Sequence, residues 1–362
     1  MAGPDKLFPQ TAGQPNERLV HVALLVALGA GGLTRALASH GRAMDALSGL
    51  KDRDTALRQA EDVLHQATRE HIHVLLPGDV HYPRLLHTIA DPPGVLFCRG
   101  DPTLLNRPML AVVGSRQASA SGLENAFAFA RALVGAGLVV TSGLARGIDG
   151  AAHRGALAGG GSTIAILGSG CRRIYPPEHH TLAGQIIACG AVVSEQLPDA
   201  PPHRAHFPRR NRLISGMTLG TLVVEAGMKS GALITAHSAA DQGREVFAVP
   251  GSIHNPMAAG CHHLLRQGAK LIENLDDILE ELPIDISAPM HHEMMQPEGS
   301  PAHGAADLSR FLDDHGTPMD VLAARTGLSI PELATHLLAL ELEGAVRVLP
   351  GGLYCPKRRK MP

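Results

Sequence analysis

Short apolar runs alternate with amphipathic segments through the middle of this chain, and this alternation limits the possible fold more than any other feature. The runs are MLAVVG (109–114), GLVVTSG (137–143), STIAILGSG (162–170), AVVSE (191–195), GTLVVEAG (220–227) and EVFAVPG (245–251). Continuous apolar runs of this length are typical of strands that are buried on both faces of a sheet. Between the first two runs, Leu123, Ala126, Ala130 and Leu133 recur at helical spacing. The alternation predicts a doubly wound parallel α/β sheet with right-handed crossovers, in a domain over residues 71–285.

Residues 1–70 form a separate region whose apolar pattern is helical. Leu19, Val22, Ala23 and Val26 lie at helical spacing, and GAGG (29–32) then interrupts the pattern. We expect a small helical hairpin broken at these glycines. Such a turn can hold a phosphate on its backbone N–H groups, or it can serve only to pack two helices. We favour packing, because few basic residues flank the turn.

The C-terminal region has the pattern of a winged helix. Residues 286–302 are rich in Pro, His and Met without any period and are interpreted as a linker. In 303–362, three helical segments (LSRFLDDHG, TPMDVLAARTG and SIPELATHLLALELEG) precede a hairpin around Pro350. The third segment has a capping box from Ser329 to Glu332 and an apolar stripe of Leu333, Leu337 and Leu340. It contains no Lys or Arg, so we predict that this module contacts protein rather than DNA, while the basic tail KRRK (357–360) leaves non-specific phosphate contacts open.

Charge and cysteine content narrow the class of protein. The chain has 32 Lys+Arg against 34 Asp+Glu, a formal net charge of −2, which excludes a general polyanion-binding surface and leaves only a local anion site. Five scattered cysteines without a Cys-x-x-Cys pair fit free thiols in a reducing cytoplasm. The N terminus lacks the order of a signal peptide, and the apolar run at 19–33 is shorter than the ~20 residues that a bilayer requires. We predict a soluble, cytoplasmic protein with no membrane partner.

Motifs for a cofactor, a metal ion or catalysis are incomplete. LGSGCRR (167–173) lacks the third spaced glycine of a dinucleotide-binding fingerprint. The neighbouring histidine pairs, such as His262-His263, lack the spaced partners of a zinc site. The chain has no Gly-x-Ser-x-Gly and no Walker lysine motif. We therefore predict no cofactor, no metal site and no catalytic residue.

One stretch, HFPRRNRLISG (206–216), concentrates positive charge in a nearly neutral chain. Arg209, Arg210 and Arg212 follow Phe207 within five positions, and Arg204 precedes it. Guanidinium groups bind phosphate oxygens in pairs, and an aromatic ring can stack on an unpaired base. The stretch therefore predicts a local cationic pocket for a phosphate-lined ligand.

Glycine turns after the predicted strands extend this pocket. Arg116 and Arg146 lie in the turns after the first two strands, and the carboxyl ends of parallel strands meet at one edge of a sheet. We expect these arginines and the 204–212 cluster to form one rim. The alternative is that some of them make ion pairs with Asp149, Glu195 or Glu225. Six arginines against three carboxylates would still leave positive charge unpaired.

At these motifs the chain resembles the DNA-processing protein A (DprA, also called Smf) family. The matching runs, in order, are VGSRQASASG, TSGLARGIDGAAHRGAL, GGGSTIAILGSG, IYPPEH, SEQLPDAPP, HFPRRNRLISG, VVEAGMKSGALITAHSA and GREVFAVPGSI. The match extends over residues 75–275 and includes YPRLLHTIADPPGVLFCRGD upstream. The outer regions resemble, more loosely, the family's N-terminal helical SAM-like domain and its C-terminal winged helix, and the central sheet its Rossmann-like domain.

The resemblance implies a non-enzymatic protein that binds and protects single-stranded DNA, forms a homodimer through the Rossmann-like domain, and loads the RecA recombinase during natural transformation. Contact with a single-stranded DNA-binding protein is a further implied possibility. Together with the residues singled out above, the implied DNA-binding set is Gly114, Ser115, Arg116, Gln117, Gly143, Arg146, Gly147, Gly168, Gly170, Arg204, Phe207, Arg209, Arg210, Asn211, Arg212, Lys229 and Ser230.

A rival hypothesis is an enzyme. The predicted sheet also resembles that of the nucleotide phosphoribohydrolases, which use a glutamate and an arginine near a glycine-rich turn. Glu225 in VVEAG would be the acid in this case. We prefer a structural role for Glu225, orienting Arg210 or a backbone turn, because the Pro-Gly-Gly turn of those enzymes is missing before it.

Overall fold

The computed structural model describes residues 16–283 and, nearer the C terminus, residues 317–319, 321–322, 330–342, 346–349 and 353–356. The chain divides into two compact units, Met1–Met290 and His291–Pro362. The predicted linker (286–302) and the basic tail (357–360) lie outside the described residues.

The first unit alternates helices with strands, as predicted. Its helices are α1 (Glu17–His40), α2 (Ala43–Ser48), α3 (Arg53–Arg69), α4 (Ala120–Gly135), α5 (Ile148–Ala158), α6 (His180–Cys189), α7 (His206–Gly216), α8 (Gly231–Asp241), α9 (Ala259–Arg266) and α10 (Asp276–Leu279). Its strands are β1 (Ile72–Leu75), β2 (Leu96–Gly100), β3 (Met109–Val113), β4 (Val139–Ser142), β5 (Thr163–Leu167), β6 (Ala191–Ser194), β7 (Gly220–Val223), β8 (Glu245–Ala248) and β9 (Lys270–Leu271).

The nine strands form one sheet in the order β1-β2-β6-β5-β4-β3-β7-β8-β9. The block from β6 to β9 is parallel, whereas β2 pairs with β1 and with β6 in antiparallel registers. The predicted doubly wound α/β fold is therefore confirmed, and each of the six predicted strands is present. Strands β1, β2 and β9, which extend the sheet at both margins, were not predicted.

Alternate residues of β3 face opposite sides of the sheet, and this places the helices on both faces. Leu110 and Val112 pack with α4 and α5 in one hydrophobic cluster. Ala111 and Val113 pack with α7 and α8 in another. The helices that follow the neighbouring strands β3 and β7 thus lie on opposite faces, which opens a crevice beyond their carboxyl ends.

Helix α1 confirms the predicted break at the glycines. Gly29 leaves the helical conformation, with φ 68° and ψ 170°. The apolar side of α1 packs in a cluster that also contains Phe97 of β2 and Leu167 of β5, so these helices share a core with the sheet. The whole helix α1 is long and apolar enough to cross a bilayer, although the apolar run at 19–33 is too short. However, Val22, Ala23, Leu24 and five other residues of α1 are buried within the protein.

The described part of the second unit contains a helix over Ile330–Leu342 and a hairpin of Val346–Leu349 and Leu353–Pro356. The predicted stripe of Leu333, Leu337 and Leu340 is buried, as the helical spacing indicated. The predicted second helix is wrong at its start, because Thr317 and Pro318 pair as a short strand with the hairpin. The predicted first helix and Ser329 of the capping box lie outside the described residues.

Candidate nucleic-acid interface

A cavity of about 1260 Å³ opens beyond the carboxyl ends of β3, β4 and β7, in the crevice between the two layers of helices. Its walls come from the turns that follow these strands and from α7, as the switch-point rule predicts. Most residues of the predicted DNA-binding set line it, namely Gly114, Ser115, Arg116, Gln117, Gly143, Arg146, Arg204, Phe207, Arg210, Asn211, Lys229 and Ser230. The lining does not include Gly147, Gly168, Gly170, Arg209 and Arg212.

The turn after β3 is held by two hydrogen bonds of Ser115, and two other side chains of the turn lie at the mouth of the cavity. The Ser115 N–H donates to the Glu225 carbonyl (2.7 Å), and the Ser115 hydroxyl accepts from the Gln117 N–H (3.1 Å). Gly147 has φ 71°, and a Cβ atom there would lie 2.2 Å from the Ser115 carbonyl oxygen. This glycine therefore lets α5 begin against the turn. Arg116 and Gln117 are consequently exposed on a fixed backbone.

Three exposed cations lie at the mouth of the cavity. In the stretch 16–283, Arg116, Arg204 and Lys229 are exposed and have no carboxylate within 4.0 Å. Arg146 differs, because it pairs with Glu178, which raises the pKa of Arg146 and lowers the pKa of Glu178. Both members of that pair are exposed, so solvent screens it and a phosphate can replace the carboxylate at little cost.

Two aromatic rings stand beside these cations. The Phe207 ring lies 5.7 Å from the Tyr175 ring, with the planes tilted by 48°, and the Arg116 guanidinium lies 5.8 Å from the Phe207 centroid. Gly168 makes room for this arrangement, since a Cβ atom there would lie 2.9 Å from the Phe207 Cδ1 atom. Tyr175 lines the cavity and was not among the predicted residues. The aromatic residue in IYPPEH was the available signal.

Arg210 and Asp149 form the floor of the cavity, and both are attached to the peptide units of Gly143. Arg210 Nη1 donates to the Gly143 carbonyl (2.8 Å) and to the Ile166 carbonyl. Asp149 Oδ2 accepts from the N–H groups of Gly143 (3.1 Å) and Ala145 (3.2 Å). Burial lowers the pKa of Arg210 to about 10 and raises the pKa of Asp149, while each charge partly offsets the shift of the other.

The expectation that Arg209 and Arg212 line the same rim is wrong. Successive residues of a helix are rotated by about 100°, so positions 209 and 212 share a face of α7 that points away from Arg210. On that face Arg209 bonds Glu195 (3.1 Å) and Asp91 (3.2 Å), and Arg212 bonds the same two carboxylates at 2.6 Å and 3.0 Å. The predicted pairing with Glu195 is confirmed, whereas Asp91 was missed. These two arginines fix α7 in place and are not free for phosphate.

Glu225 has a structural role. One of its carboxylate oxygens accepts from the Ser119 N–H (2.9 Å), and the other accepts from the Ser119 hydroxyl (2.6 Å) and from Asn255 Nδ2 (3.3 Å). Ser119 in turn is the N-cap of α4, accepting from the Gly122 N–H at 3.0 Å. A negative charge at a helix N terminus is favourable. The geometry therefore supports the predicted backbone-orienting role of Glu225 and gives no support to its use as an acid.

Gly170, in the turn after β5, allows the backbone of Leu197 and Pro198 to pack closely against this turn. A Cβ atom on Gly170 would lie 2.2 Å from the carbonyl oxygens of both Leu197 and Pro198. Ser230 caps α8 by accepting from the Ala232 N–H at 3.2 Å, and Asn211 Nδ2 donates to the Gly231 carbonyl at 3.2 Å. The Asn211 bond therefore connects α7 with the start of α8 along one wall of the cavity.

Comparison with known protein families matches both units of the chain. Residues 73–283 match the model of the DNA recombination-mediator protein A family, and residues 292–352 match the DprA winged helix domain. Protein Smf of Escherichia coli is 44% identical over 79% of this chain and 78% of its own length. The DNA processing protein DprA of Bacillus subtilis is 45% identical over 56% of this chain and 68% of its own length.

Solved structures agree with these matches. The DNA processing protein A of Streptococcus pneumoniae is 36% identical and superposes with a TM-score of 0.61, covering 74% of this chain and 95% of that one. The DNA processing protein A of Helicobacter pylori, studied for its single-stranded DNA binding mode, is 28% identical with a TM-score of 0.53, covering 58% of this chain and 94% of that one. The chain belongs to the DNA recombination-mediator protein A family.

Proposed function

We propose that this protein binds single-stranded DNA in the cavity beyond β3, β4 and β7, as a recombination mediator without enzymatic activity. The observation that carries the proposal is a group of three exposed cations, Arg116, Arg204 and Lys229, that have no carboxylate partner within residues 16–283 and surround a cavity that Phe207 and Tyr175 also line. The single-stranded DNA binding mode described for the Helicobacter pylori relative supports it.

The chemistry of the cavity suits an unpaired strand better than a duplex. Arg116, Arg204 and Lys229 would neutralise phosphates along the strand, and Phe207 and Tyr175 would present ring surfaces to bases that are not stacked on a complementary strand. A duplex would first have to open, which costs unstacking and unpairing free energy. Few cations surround one cavity, so tight binding is expected when one strand occupies the cavities of two protomers.

Binding of a fluorescently labelled oligo-dT, followed by anisotropy, tests the proposal. Replacing Arg116 by alanine removes a charge-assisted contact with a phosphate and is expected to weaken binding by roughly tenfold. Arg58→Ala is the matched control, because Arg58 is exposed on α3 and does not line the cavity. Equal affinity for a duplex of the same length, or no loss with Arg116→Ala, would contradict the proposal.

We further propose the finer roles that family membership suggests. The protein would act in the cytoplasm as a homodimer, protect single-stranded DNA and load the RecA recombinase on it, with a single-stranded DNA-binding protein as a further partner. Support for these roles comes from the match of residues 73–283 to the recombination-mediator family. Nuclease protection of oligo-dT and RecA loading on coated single strands measure them directly, separately from affinity.

A further inference from the structure

The floor of the cavity carries a hydrogen-bond donor and an acceptor side by side, both buried and both incompletely used. Arg210 is 4% exposed and Asp149 is 5% exposed, yet both line the cavity. Among the residues of the described unit, Arg210 Nε is buried without a hydrogen-bond partner, and of the three guanidinium nitrogens only Nη1 is bonded to backbone carbonyls. Asp149 uses Oδ2 for two N–H groups, while its Oδ1 has no partner among the residues of the described unit.

The floor is not a simple phosphate site. Asp149 lies on the same Gly143 backbone as Arg210, so its negative charge would oppose an anion bound at the guanidinium. A neutral ligand that offers an N–H group next to an acceptor fits the pair better. It would donate to the free oxygen of Asp149 and accept from Arg210, which satisfies both buried groups together.

Every nucleobase offers such a pattern on its Watson–Crick edge. Thymine and guanine place a ring N–H beside a carbonyl oxygen, whereas cytosine and adenine place an amino group beside a ring nitrogen. Phe207 lies one turn before Arg210 on α7, so its ring stands next to the floor. We propose that Arg210 and Asp149 bind the Watson–Crick edge of an unpaired base, whatever that base is.

This inference rests on the proposed function and adds the means by which the site selects single strands. In a duplex the same edge is bonded to the opposite strand, so the floor cannot reach it. Selection would then come from the edge of the base as well as from the flexibility of the backbone. Because each base has a donor beside an acceptor, the selection would tolerate any sequence.

Oligo-dT and an oligonucleotide of N3-methylthymidine, compared by anisotropy, test the inference. The two share length, charge and ring system, but the methyl group removes the N3–H donor that Asp149 would accept. We expect the intact protein to bind the methylated strand about tenfold or more weakly. Equal affinity for the two strands would overturn the inference and leave the proposed function intact.

Two variants sharpen this test. In Asp149→Asn the amide oxygen can still accept from the Gly143 and Ala145 N–H groups, but the NH₂ group replaces the acceptor that faces the base. We expect Asp149→Asn to bind oligo-dT more weakly than the unchanged protein does. The ratio of its affinities for oligo-dT and for the methylated strand should be near one. Arg116→Ala should weaken the binding of both strands and leave the ratio of the two affinities unchanged, since it removes only a phosphate contact.

The remaining outcomes are equally decisive. If Asp149→Asn still binds oligo-dT much more tightly than the methylated strand, the methyl group weakens binding through a steric clash at another place. That result would overturn the inference. If circular dichroism shows that Asp149→Asn does not fold, the ratio measured on the intact protein decides alone. Absence of binding to either strand by the intact protein would overturn the proposed function itself.

Discussion

At the scale of single residues, His153 is the clearest case of a titratable group kept neutral by burial. Thr163 uses its hydroxyl proton to bond the Val140 carbonyl (2.7 Å), so His153 Nδ1 must donate to the Thr163 oxygen (2.8 Å). Within residues 16–283, His153 Nε2 is then a buried acceptor without a hydrogen-bond partner. Burial, followed by the charges of His179, Arg154 and Arg210, lowers the pKa of His153 from 6.5 to about 3.

This shift predicts a pH-dependent free energy of unfolding. Between pH 6.5 and about 3 the unfolded chain binds a proton at His153 that the folded protein does not, so stability is greatest above pH 6.5 and falls as the pH falls. In His153→Gln this contribution is absent, so the difference in urea stability between neutral pH and about pH 5 should shrink. His65→Gln, an exposed histidine on α3, should keep the difference found for the unchanged protein. An unchanged difference in His153→Gln would contradict the prediction.

At the scale of the element, α7 divides its arginines between two tasks. Arg210 faces the cavity, whereas Arg209 and Arg212 are bonded to Asp91 and Glu195 on the other face. Arg209 also donates to the Ala30 carbonyl (3.4 Å) and to the Thr34 hydroxyl (3.2 Å), both on α1. The network therefore ties α7, and with it Phe207, to the N-terminal helices.

We expect Arg209→Ala to affect the stability of the protein and Arg116→Ala to affect its binding of DNA. Arg209→Ala should lower the free energy of unfolding by on the order of 2 kcal/mol, because Glu195 is buried and loses one of its two partners. Its binding of oligo-dT should keep the salt dependence of the unchanged protein. Arg116→Ala should leave stability unaltered and reduce the slope of log K against log salt by about 0.7. An equal loss of slope in both variants would show that Arg209 also contacts phosphate.

The sequence allowed part of the fold and part of the site to be predicted. The parallel strands were predictable, because burial on both faces produces continuous apolar runs within each strand. Strands β1 and β2 were not, since only the end residues of β1 are buried and β2 ends in Arg99 and Gly100, so neither strand forms a long continuous apolar run. The arginine cluster of 206–216 predicted the position of the site, but adjacency in sequence concealed the two faces of α7. Asp91 was missed because it lies more than a hundred residues away from its partners.

At the scale of the whole molecule, the first unit contains three hydrophobic clusters and the described part of the second unit has one of its own. A chain truncated after Met290 is therefore expected to stay folded and to bind oligo-dT within about twofold of the full chain, because the cavity lies entirely in the first unit. The truncated chain should fail in RecA loading if the winged helix contacts protein, as its Arg- and Lys-free helix predicts. A loss of affinity as large as that of Arg116→Ala would instead assign the second unit to DNA.

The core that α1 shares with the sheet has a consequence for degradation. Val22 and Leu24 pack in the cluster that contains Phe97 and Leu167, so the N-terminal helices cannot detach without exposing the interior of the sheet. A protease that cleaves only opened chain would find few intermediate targets between residues 16 and 283. Digestion of this region should proceed from intact protein to small fragments, without a long-lived core that has lost α1.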